Sequence, residues 1–99
     1  RGSADVVVAR AVGQTNILLE LSIPLLKKHG VFINYKGKDL SDVETAKTAE
    51  AALNAKKTEV FNFCLPFDAG ERNVVVYEKI EDTPKIYPRK FGTIKKNPL

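Results

Sequence analysis

The side chains able to do chemistry are few in kind. There is one cysteine, Cys64, and one histidine, His29. An internal disulfide framework, a cysteine-rich metal site and a paired-histidine metal motif are therefore excluded. Cys64 lies between Phe63 and Leu65 and reads as a small buried apolar residue rather than a nucleophile. What remains is cationic. Arg10 closes a valine-rich run, Lys36 closes a second apolar run, and Arg72 opens a third beside Asn73. The chain then ends in Lys85, Arg89, Lys90, Lys95 and Lys96 with no acid among residues 85–99. Residues 1–84 carry 11 Lys/Arg against 12 Asp/Glu, so the whole excess behind the net charge of +4 sits in that tail. A cationic tail suits an anionic partner. Tyr87 and Phe91 interleave with its cations, and rings in that setting can stack on unpaired bases while cations contact phosphates. The competing reading is a strap that packs both rings on its own domain and turns the cations outward.

These residues need a scaffold. A chain of 99 residues with 43% hydrophobic content is long enough for one domain. No run of 18 apolar residues is present, so no membrane-spanning helix is expected. No secretory leader is visible, and the single cysteine fits a reducing, cytoplasmic setting. Arg1-Gly2-Ser3 reads as a cloning remnant and is set aside. Residues 5–10 form a short valine-rich run, the pattern of a strand buried on both faces. Thr15 or Asn16 can cap the helix that follows, apolar over most of its circumference from Ile17 to Leu26 and interrupted at Pro24. Lys27, Lys28 and His29 suit its C-terminal dipole, with Gly30 as the left-handed terminator. Residues 31–35 read as a second strand ended by Lys36-Gly37-Lys38. Ser41-Asp-Val-Glu44 fits a capping box opening a helix to about Lys57, with a thin apolar face of Val43, Ala46, Ala49 and Leu53. Residues 59–65 and 72–80 read as strands joined by a turn at 68–71. Tyr35, Phe61, Phe63 and Phe67 are expected in the core or on strand faces. From Thr83 onward the chain reads as an extended tail. The units are thus 1–84, a partial α/β domain, and 85–99, a basic tail.

Strands alternating with helices imply parallel βαβ units, and the last two strands, joined by a short turn, must be antiparallel. The expected fold is α/β, a mixed sheet ending in an antiparallel hairpin. Ligands bind beyond the carboxyl ends of parallel strands, where Arg10 and Lys36 fall, so both are expected to flank one crevice. A first strand buried on both faces needs a neighbour on each edge. Nothing in the chain supplies the second, which suggests the latter half of a larger domain with an edge open to self-association.

Several stretches resemble one family. Val8-Ala-Arg-Ala-Val12, Phe32-Ile-Asn-Tyr-Lys-Gly37, Glu71-Arg-Asn-Val-Val75 and Thr83-Pro-Lys-Ile-Tyr-Pro-Arg-Lys-Phe-Gly-Thr93 look like the C-terminal part of the RsmG/GidB methyltransferases. The resemblance implies a Rossmann-like fold and a reaction using S-adenosyl-L-methionine to methylate guanine N7 in 16S ribosomal RNA of the small ribosomal subunit. It implies a cofactor role for Arg10, and substrate or RNA contacts for Lys36, Arg72, Tyr87, Arg89 and Lys90. The family pattern Gly-Thr-Pro is broken here by Ile94. The family's glycine-rich cofactor loop and ribose-holding acid have no counterpart in these residues. The resemblance therefore implies roughly the last two-fifths of such an enzyme, inactive alone. The alternative is a non-catalytic RNA-binding module built on the basic aromatic tail.

Overall fold

A computed structural model of the chain describes residues 2–10, 14–36, 40–64, 66 and 70–99. The expected strand terminators Gly37 and Lys38, the first half of the turn at 68–71, and Phe67 lie outside the described residues. The elements are β1 (Ala4–Arg10), α1 (Thr15–Ser22), a 3-10 turn (Ile23–Leu25), β2 (Leu26–Lys36), α2 (Ser41–Glu44), α3 (Lys47–Leu53), β3 (Ala55–Cys64), β4 (Glu71–Lys79) and α4 (Phe91–Lys96). They build a four-stranded mixed sheet in the order β1-β2-β4-β3. β1 and β2 are parallel, while β4 runs antiparallel to both β2 and β3. The mixed α/β class and the closing hairpin are as expected. However, β4 lies inside the sheet and β3 takes the edge.

The core lies on one face. Leu19, Ile23, Leu26, Phe32, Val43, Ala46, Ala49, Leu53, Val75 and Tyr77 form a buried cluster between the sheet and α1–α3. The Phe32 and Tyr77 rings stack within it at 6.0 Å and 22°. The thin apolar stripe of α2 and α3 is thus enough, because small alanines bring the helices close to the sheet.

Strand alternation sends the other side chains to an uncovered face. Val7 and Ala9 pack on the core, whereas Val6 and Val8 are 51% and 55% exposed. The expectation that β1 is buried on both faces is therefore corrected: within this chain one of its faces is bare. Tyr35, Phe61 and Phe63 share that bare face and are exposed as well.

Four local readings also change. The first helix ends at Ser22 instead of near His29, because Pro24 lacks an amide hydrogen and forces the 3-10 turn. The chain is extended again from Leu26, and Gly30 lies within β2, where a Cβ would meet the Ala4 and Lys27 carbonyl oxygens at 3.0 Å. The expected single helix from Ser41 to about Lys57 is two short ones, the second terminated by Asn54 in the left-handed region (φ 61). Residues 91–96 form a helix within the expected extended tail. Cys64 is exposed, not buried, since it ends an edge strand. Gly2 and Ser3 donate to the Pro24 and Leu25 carbonyls at 2.9 and 3.2 Å, prolonging the β1–β2 pairing.

Candidate functional site

The sheet register gathers the cationic residues at one end. Arg10 pairs with Tyr35, Lys36 with Asn73, Phe63 with Arg72, and Cys64 with Glu71. The carboxyl tips of β1, β2 and β3 and the amino end of β4 thus coincide. This is the end at which open α/β sheets hold ligands.

Within that end the pleat separates the side chains. Arg10 and Arg72 alternate with core-facing residues and lie on the bare face, on either side of Tyr35 and Val74. Both are exposed. Arg72 donates from Nη1 to the Glu71 carbonyl at 2.7 Å. Lys36 leaves on the opposite, helix-covered face. The expectation that Arg10 and Lys36 flank one crevice with both side chains is corrected: their backbones are neighbours, yet their charges emerge on different sides of the sheet. The cause is register. Arg10 is opposite Tyr35, so Lys36 is out of phase with it.

Lys36 is only 6% exposed and is held by Asp42 of α2, with Nζ 2.9 Å from each carboxylate oxygen. The same Asp42 Oδ2 accepts hydrogen bonds from the Thr15 backbone amide and the Thr15 hydroxyl, both at 2.9 Å. The first helical amide of α1 is thus satisfied by an acid 27 residues away, not by a local cap. Burial pushes the Asp42 carboxyl up, but hydrogen bonds from Lys36 and Thr15 and the Lys36 charge bring it below its ordinary value.

The tail is strapped down. Glu20 is fully buried in α1. It accepts from the Arg89 backbone amide at 2.8 Å, from Nε at 3.0 and 3.2 Å, and from Nη2 at 2.8 Å. Burial raises the Glu20 carboxyl, and the Arg89 hydrogen bonds and charge more than reverse this. Arg89 Nη2 also donates to the Asn97 carbonyl at 2.8 Å, closing α4 back on the strap. Tyr87 packs against the core cluster and Ile94 is buried. Lys85, Lys90, Lys95 and Lys96 stay exposed, as does Phe91 at 59%. Of the residues expected to contact RNA, Arg72 and Lys90 are therefore presented to solvent. Lys36, Tyr87 and Arg89 are engaged inside the molecule.

Two anchors of this arrangement escaped the sequence reading, Glu20 and Asp42. Glu20 had a signal: it is the lone charge in the apolar stretch from Ile17 to Leu26, and a charge there demands a buried partner. Asp42 had none, because a first-turn acid is explained by its own helix. Among the described residues no cluster of three His, Cys, Asp or Glu is placed to hold a metal, and no helix is long and apolar enough to cross a membrane.

The sequence profile of the GidB family, described as rRNA small subunit methyltransferase G, matches residues 1–75. Curated relatives named ribosomal RNA small subunit methyltransferase G from Staphylococcus aureus strains JH9, JH1 and Newman are 48% identical over the whole chain. The chain spans 42% of the length of each. The match begins at residue 1 and so takes in Arg1-Gly2-Ser3, which the sequence reading had set aside. The sheet, its cationic end and these similarities lead to one assignment: the chain belongs to the GidB family of small-subunit rRNA methyltransferases.

Proposed function

We propose that this segment is the C-terminal, RNA-facing part of an S-adenosyl-L-methionine-dependent methyltransferase acting on guanine N7 of small-subunit ribosomal RNA. The observation that carries the reading is the convergence of Arg10, the Lys36–Asp42 pair and Arg72 on the carboxyl end of the sheet. Arg10 fits the carboxylate of the methyl donor. It is exposed at a strand tip and has no hydrogen bond or ion pair among the described residues. The donor supplies an activated methyl group on a sulfonium centre. Guanine N7 carries no proton to lose, so positioning suffices and no general base is required. This agrees with a site built from arginines and lysines.

Arg72 and Lys90, with Lys85, Lys95 and Lys96, are exposed and available to meet phosphates. Of the two tail rings, Phe91 is the one free to stack. The bare valine-rich face and the outer edge of β1, unpaired among the described residues, support a half-domain whose remaining layers are supplied by further chain. They also favour self-association of the isolated segment. The site of action is the cytoplasm, where small subunits mature.

The test is methyl transfer. Full-length protein carrying this segment is expected to label small-subunit rRNA from a methyl-labelled donor, with the label at N7 of a guanine, and the 99-residue chain alone to transfer none. Label on another atom or base overturns the assignment of the reaction, and turnover by the isolated chain overturns the half-domain reading. For RNA affinity, four free tail cations predict a log K versus log salt slope of about −3, at ~0.7 per phosphate neutralised on single strands. No change on truncation after residue 84 removes the tail from RNA binding and, with it, the binding-module reading.

A further inference from the structure

We propose that Lys36 and Asp42 are positioning residues for the methyl-donor site and that Lys36 is not a phosphate ligand. The inference rests on the methyltransferase reading and deepens it. The Lys36 ammonium sits 6% exposed with Asp42 Oδ1 and Oδ2 both at 2.9 Å. For this ammonium to reach a phosphate, it must leave its buried position beside a partly exposed Asp42, and that carboxylate would lose its main counter-charge. An exchange of that kind is costly, whereas Arg72 and Lys90 already stand in solvent.

The pair also has a mechanical job. Asp42 Oδ2 holds the Thr15 amide and hydroxyl at 2.9 Å, and Thr15 is fully buried. A single carboxylate therefore bolts three elements together: the tip of β2 through Lys36, the start of α1 through Thr15, and α2, which carries Asp42. α1 is the element that follows β1, and β1 ends in Arg10. The tip of β2 pairs with the Arg10 tip of β1, and α1 follows that tip in sequence, so the bolt ties together the element beside Arg10 and the element after it. The side chains of Lys36 and Arg10 leave on opposite faces of the sheet, so the link runs through the backbone. Buried hydrogen-bonded charges that lock elements together act on geometry at the reacting centre without touching it.

The experiment uses full-length protein with Lys36→Met, Asp42→Asn, Asp42→Glu and the Lys36→Met/Asp42→Asn double variant. Steady-state kinetics are measured with S-adenosyl-L-methionine and small-subunit rRNA, together with RNA affinity against salt. Each single removal is expected to raise the donor KM about tenfold with kcat within about threefold. The double variant is expected to match the singles, because the two residues act as one unit, and Asp42→Glu to recover part of the loss. The RNA salt slope of Lys36→Met is expected to equal that of the wild type. A slope smaller by ~0.7 makes Lys36 a phosphate ligand and overturns the proposal. Additive losses, or wild-type kinetics in Asp42→Asn, overturn it too. Absence of methyl transfer by the wild type refutes the methyltransferase reading instead. In that event hydrogen exchange at the Thr15 amide decides alone. Faster exchange in both Lys36→Met and Asp42→Asn, by about tenfold, supports the strut, and unchanged protection overturns it.

Discussion

Asn34 is a sharp test of the packing account. It lies in β2 with no exposed surface, and neither its side-chain nitrogen nor its oxygen has a hydrogen-bond partner among the described residues. Its neighbours across the sheet are Ala9 and Val75, neither able to offer one. A buried amide left unpaired costs ~1–3 kcal/mol. Leucine has nearly the same outline, so Asn34→Leu removes both orphaned atoms and adds apolar contact. Crowding of the branched side chain takes back part of the gain, since overpacking costs ~1–3 kcal/mol. A net stabilisation of about 1 kcal/mol is expected. For a chain of this size that is a rise in Tm of roughly 4–8 °C. Tyr77→Phe is the companion. The Tyr77 hydroxyl is also buried without a partner among the described residues. Burial first, then the charges of Glu50, Asp42 and Glu44, push its phenol above its ordinary value, so it stays neutral. Deleting it changes almost no volume and is expected to stabilise by ~1 kcal/mol. Urea unfolding followed by far-UV circular dichroism reads both. If Tyr77→Phe stabilises and Asn34→Leu does not, the leucine is overpacked. If both destabilise, the two groups are satisfied in solution and the reasoning about this core is wrong.

Four further outcomes follow from the geometry. Arg89→Met leaves the buried Glu20 carboxylate without its guanidinium partner, so the strap is expected to open and trypsin to cleave at Lys90 at least ~10-fold faster, as local opening governs proteolysis; unchanged cleavage removes the clasp. In the wild type the Glu20 carboxyl is held below its ordinary value, so the clasp's contribution is complete above the ordinary carboxylate range and is lost as pH falls through the lowered folded-state value; a strap that opens on raising the pH from 5 to 8 contradicts that sign. Gly30→Ala sets a methyl group against the Ala4, Lys27 and Asp5 carbonyl oxygens at 3.0–3.1 Å and is expected to cost ~1–3 kcal/mol by prising β1 from β2, whereas wild-type stability in urea would show that the β1–β2 approach is looser. Val8→Lys on the bare face is expected to lower the sedimentation-measured association of the isolated chain, and a wild-type chain that is monomeric at ~100 μM ends the self-association proposal.

Local pattern was enough for the strands, for Arg10 and Lys36 at strand tips, for the apolar stripe of Val43, Ala46, Ala49 and Leu53, and for the closing hairpin. Each depends on alternation, on helical spacing or on a turn too short for a crossover, and these are properties of a few adjacent residues. The family resemblance rested likewise on contiguous motifs, above all Tyr87-Pro-Arg-Lys90. What escaped local reading was every decision made by residues distant in sequence. Register between β1 and β2 put Arg10 and Lys36 on opposite faces, and a strand does not carry its own register. The 69-residue separation of Glu20 and Arg89 hid an internal clasp at a residue read locally as an RNA contact. The 27-residue separation of Thr15 and Asp42 replaced a local cap with a bolt between elements. A buried charge states only that it needs a partner; which partner answers is settled when the helices and the strap close on the sheet.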